Sequence, residues 1–98
     1  MAQSLSDVSV ETKLKAVNVL AAAAEIWEPG PRYLPDVIYE LKPDIKTRDA
    51  AMMALNAFAW DEGFECWEPY ELMLRSVHLV SPAVTVLRII RFLTRSAG

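Results

Sequence analysis

The chain has little with which to do covalent or metal chemistry. Its only cysteine, Cys66, has no partner for an internal disulfide, and with the only histidine, His78, it offers two of the four ligands a structural zinc site takes. No glycine-rich phosphate loop, nucleophile elbow or His-Glu-x-x-His element occurs. His78 has no cysteine or carboxylate three or four positions away, so a Cys66–His78 pair would exist only if the fold brought the two together. Catalysis therefore has no support in the sequence, and no cofactor or metal is expected. No eighteen apolar residues run without a charge, so no membrane insertion is expected. The first ten residues lack the basic start and apolar centre of a secretory signal, which points to a cytoplasmic chain.

What is present is a dense apolar content on one small domain. Ninety-eight residues allow a single hydrophobic core, and a 53% apolar share with a mean hydropathy of +0.18 excludes a disordered polar chain. The domain is expected to span residues 1–98, with 1–8 as a flexible N-terminal segment. Thirteen acids against ten bases give a net charge of −3. All thirteen acids precede Pro82, whereas Arg88, Arg91 and Arg95 lie beyond it, so a basic edge closes an acidic body. That balance disfavours a nucleic-acid backbone as partner. The three arginines read first as cations that offset a helix dipole, and second as a phosphate site.

The periodicity is helical throughout. Ser9 caps a helix in which Val10, Leu14, Val17, Leu20, Ala21, Ala24 and Trp27 recur at three- and four-residue steps. Leu34, Val37, Ile38 and Leu41 make a short helix with Pro35 in its first turn and Pro43 beyond its end. Thr47 is the expected cap of a third helix, rich in alanine and methionine, that closes at Gly63. Pro69 is the expected start of a fourth, and Ser81-Pro82 of a fifth that runs to about Arg95. No Asn-Gly or Asp-Gly hairpin signal occurs. The expected fold is all-α, with Leu14, Val17, Leu55, Phe58, Leu74 and Ile90 sharing one core.

An internal repeat organises these helices. Ala24 to Gly30 lines up with Ala57 to Gly63 at an offset of thirty-three, each a helix end followed by Trp, an acid, any residue and Gly. Lys13 with Lys46 and Leu20 with Met53 extend the match, and a proline follows each short helix, at Pro43 and Pro82. A second match, Trp27-Glu28-Pro29 with Trp67-Glu68-Pro69 at offset forty, competes for the register.

The pattern resembles the tetratricopeptide repeat, with small residues in the first helix of each pair, a turn glycine and a closing proline. It departs from that family in its links, since Gly30 to Pro43 is short and Gly63 to Pro82 is long. Among such proteins it looks most like the small helical chaperones that hold type III secretion needle subunits. The resemblance implies five helices stacked as about two and a half antiparallel helix pairs. First helices in such a stack line a concave face, here Leu20, Ala24 and Trp27 with Met53, Ala57 and Trp60, which would take an apolar or amphipathic segment of a partner protein. The expected function is thus a non-enzymatic adaptor or chaperone. Homodimerisation competes for the same groove. Two other readings stand beside it: a self-associating structural protein, and a winged-helix-like regulator that reads DNA through Lys46, Arg48 and Asn56 with Phe64 to Trp67 as its wing.

Overall fold

A computed structural model describes residues 5–28, 31–77 and 81–95. Among these the chain forms a 3-10 turn, Leu5–Asp7, and five helices: α1, Val10–Ile26; α2, Leu34–Glu40; α3, Ile45–Asp61; α4, Trp67–Val77; and α5, Pro82–Arg95. None of the described residues forms a β-strand, and Phe64 to Cys66 bend into α4 rather than extending as a wing. The fold is all-α, and its order of long and short helices is that of two and a half helix pairs. A radius of gyration of 12.5 Å is what about one hundred residues reach when packed as one unit.

Caps set the helix ends. The Ser9 side chain accepts the Thr12 N–H, and the Asp44 side chain accepts the Thr47 N–H. Thr47 is therefore not the cap of α3: it is buried three residues inside, with its hydroxyl on Asp44 at 2.6 Å. Gly63 closes the other end with φ +94°, a conformation most side chains avoid. The two short helices borrow their caps from other helices. Glu71 of α4 accepts the Leu34 N–H at the start of α2 (3.0 Å), and Asn56 of α3 accepts the Trp67 N–H at the start of α4 (2.9 Å).

α3 is the central element, packed against α1, α2, α4, α5 and the 3-10 turn, while α5 also packs on α1. Small residues fill the buried faces of α1 (Ala16, Ala23) and α3 (Ala50, Ala51, Ala54, Ala59), which lets helix backbones approach closely. Larger side chains close the core around them: Leu20, Leu34, Ile38, Leu55, Ile89 and Leu93 are all fully buried. An aromatic group joins α1, α3, α4 and α5. Trp27 meets Trp67 at 6.4 Å, and Phe58 meets Tyr70 and Phe92 edge-on at 5.5 and 6.1 Å. Ser9 and Thr12 share a cleft with Lys46, Asp49 and Met53, and Asp61 and Glu62 share one with Arg88 and Arg95. The first turns of α1 and α3 are therefore neighbours, and the last turns of α3 face the second half of α5, with Glu62 on Arg88 and Phe58 on Phe92.

Several expectations are corrected here. Leu14 is not a core residue but 57% exposed, and Val17, Leu74 and Ile90 lie at the core's edge, whereas Leu55 and Phe58 are interior. The inward face of α1 is instead Lys13, Ala16, Leu20, Ala23 and Trp27. Leu5, in the 3-10 turn, is buried against the core. The helices also fix a different register. α1 and α3 are each seventeen residues long and their caps, Ser9 and Asp44, stand thirty-five positions apart. At that spacing buried residues match: Ala16 with Ala51, Leu20 with Leu55, Ala23 with Phe58. Gly30, the glycine proposed to match Gly63, lies outside the described residues.

Candidate functional site

The six residues expected to line one groove divide into two sets. Leu20 is fully buried and Trp27 is 4% exposed, so neither reaches a surface. Trp27 turns inward because it caps α1: its amide bonds to the Ala23 carbonyl, its indole N–H donates to the Arg32 carbonyl at 3.0 Å, and its ring meets Trp67. Ala24 lies half-buried at the edge of the core. The α3 residues behave differently. Met53 and Ala57 are half-buried and Trp60 is 69% exposed. Their spacing of four and three residues puts them on one side of the helix, opposite Ala51, Leu55 and Phe58.

That outward side of α3 begins at Ile45, which is 67% exposed, and continues through Asp49, Met53 and Asn56 to Trp60. At its N-terminal end Met53 lines a cleft of about 250 Å³ with Val8, Thr12, Lys46 and Asp49. Its neighbour Met52 opens onto a different cleft, of about 470 Å³, with Tyr33, Asn56, Cys66 and Trp67. The adjacent methionines thus serve two surfaces, as their 100° separation on a helix requires.

Two of the three side chains that a DNA-reading α3 would rely on are engaged. The Arg48 guanidinium lies over the Tyr39 ring, 4.9 Å from its centroid, and Asn56 accepts the Trp67 amide. Cys66 is exposed, and His78 lies outside the described residues. Among the described residues no group of three or more histidine, cysteine or acidic side chains is placed to hold a metal, and no helix is long and apolar enough to cross a membrane.

One acid of the stretch Asp61 to Glu71 departs from the solvated role its neighbours have. Glu71 is fully buried, and its Oε1 accepts from the Leu34 amide at 3.0 Å and the Trp67 indole at 2.7 Å. Its Oε2 has no hydrogen-bond partner. Burial pushes the Glu71 carboxyl above its ordinary range, against the two hydrogen bonds and nearby Arg75, which favour the ionised form. The i, i+4 spacing of Trp67 and Glu71 was the signal in the sequence that could have found this pair.

No protein-family model matches the chain, and no curated protein or solved structure is significantly similar to it.

Proposed function

We propose that this protein is a small non-enzymatic adaptor or chaperone of the cytoplasm that holds an apolar or amphipathic segment of a partner protein along the outward side of α3. The observation that carries this reading is Trp60. A folded surface usually hides so large an apolar ring, and the other two tryptophans are buried at 4% and 2%. With 69% of Trp60 in water, covering it removes about 150 Å² of largely apolar area, worth about 4 kcal/mol before the costs of association. Met53 and Ala57, about two turns and one turn before it on the same side, supply an adaptable contact and close approach. Leu20 and Trp27 are left to the core. The groove expected from the repeat thereby narrows to its α3 bank.

The test uses tagged native protein, Trp60→Ala and Met53→Glu as baits in an extract of the host. A partner retained by the native chain and lost from both variants, with unchanged helical circular dichroism, is the expected result. A charge desolvated at a binding centre costs several kcal/mol, whereas on free surface it costs little. A partner held equally by all three baits refutes the α3 side as the site.

A further inference from the structure

We infer that the outward face of α5 is a second docking site, built for an acidic amphipathic helix of a partner protein. At 100° per residue Val84, Leu87, Arg88, Arg91 and Arg95 fall within about a 100° arc, opposite the buried Thr85, Val86, Ile89 and Leu93. All five are exposed, and Val84 and Leu87 leave half of their surface in water. The face is therefore apolar over its first half and cationic over its second, along about 17 Å of helix.

The cationic half opens onto a cleft of about 570 Å³ lined by Phe58, Asp61, Glu62 and the three arginines. Arg88 is already committed: it donates to Glu62 Oε1 at 3.0 Å and lies over the Phe58 ring at 5.3 Å. The side chains of Arg91 and Arg95 make no ion pair among the described residues. The helix dipole accounts for a cation in the last turn, which covers Arg95 but leaves Arg91 and the two exposed aliphatics unexplained. Arg91 and Arg95 stand four residues apart, about 6 Å, the same spacing that two acids at i, i+4 present on a facing helix. Each guanidinium fork takes one carboxylate through two parallel hydrogen bonds, and apolar residues on the facing helix then cover Val84 and Leu87.

Charge selects the occupant. Residues 1–81 carry thirteen acids and seven bases, so a nucleic acid with a charge about every 1.7 Å is repelled beyond the cleft. An inorganic phosphate at the arginines leaves Val84 and Leu87 in water, whereas a helix that brings carboxylates to Arg91 and Arg95 also covers them. The inference does not depend on the α3 side.

The experiment is fluorescence anisotropy with the full chain and two short labelled helical peptides, one bearing leucines beside glutamates and the other with lysines in place of the glutamates. Mixed duplex DNA and inorganic phosphate serve as competitors. The expected result is binding of the glutamate peptide alone, weakened by salt. Reversing both free charges, Arg91→Glu with Arg95→Glu, should lower affinity at least about thirtyfold. Arg91→Gln should lower it less, Leu87→Ala should weaken it too, and Trp60→Ala should leave it unchanged. Equal binding of the lysine peptide, indifference to the arginine variants, displacement by DNA or phosphate, or loss in Trp60→Ala overturns the inference.

Discussion

Replacing Glu71 tests whether a buried carboxyl of α4 holds α2 and the α4 indole in place. Glu71→Ala removes the acceptor of two bonds, from Leu34 N–H and Trp67 Nε1–H, in a fully buried position. Each donor left without a partner costs about 1–3 kcal/mol, and the vacated volume adds to that, so the expected loss is about 3–5 kcal/mol. A domain of this size has about 5–15 kcal/mol in all. Glu71→Gln keeps an oxygen for both donors and removes the charge, so at neutral pH it should lie within about 1 kcal/mol of the native chain. The pH dependence has a definite sign. The folded carboxyl titrates above its ordinary value, so the folded state holds a proton that the unfolded state has released, and stability falls as pH rises through the folded value. Urea unfolding followed by circular dichroism between about pH 4.5 and 7.5 should show this fall in the native chain and its absence in Glu71→Gln. Asp44, whose carboxyl is held low by the Thr47 hydroxyl and amide, has the opposite sign and acts below that window, so the native-minus-Gln difference isolates Glu71. A Gln variant as unstable as the Ala variant, or a native curve that rises relative to it with pH, would refute the reasoning.

Two further outcomes check the packing. Leu55→Ala should cost roughly 2–5 kcal/mol in a thermal or urea melt, while Leu14→Ala, on an exposed position of α1, should stay within about 0.5 kcal/mol. Gly63→Ala meets no atom within 4 Å, so any loss there is conformational, about 1 kcal/mol from the positive φ alone; a larger loss would mean the added methyl disturbs the α3–α4 turn.

The helices were legible because their punctuation is local. Ser9 acts through its hydroxyl on an amide three residues on, Pro35, Gly63 and Pro82 act through their own backbone, and each stands where its chemistry requires. Thr47 misled because Asp44 competes for the same cap three residues earlier, and a carboxylate there bonds both the amide and the hydroxyl of the threonine. The caps of α2 and α4 were not legible at all. They come from Glu71 and Asn56, thirty-seven and eleven residues away, and no local pattern carries that information.

The candidate site was half legible, and α1 explains which half. Its apolar residues nearly encircle it, from Val10, Leu14 and Ala21 on one side to Val19 and Ile26 on the other, so size alone does not pick an inward face. What picks it is approach: alanines go inward where helices pack, and Leu14 is left in water while Ala16 and Ala23 are sealed. α3 is less ambiguous, because Asp49 and Asn56 mark its outer side and Trp60 follows them at helical spacing. Aligning Trp60 with Trp27 moved the α1 half of the groove onto buried positions. The caps and the burial pattern set the spacing at thirty-five, and at that spacing Trp27 is a terminal cap while Trp60 lies within a helix. The two tryptophans are alike in sequence and opposite in placement, one closing the core and the other left in water, which is why only Trp60 belongs to the outward side of α3.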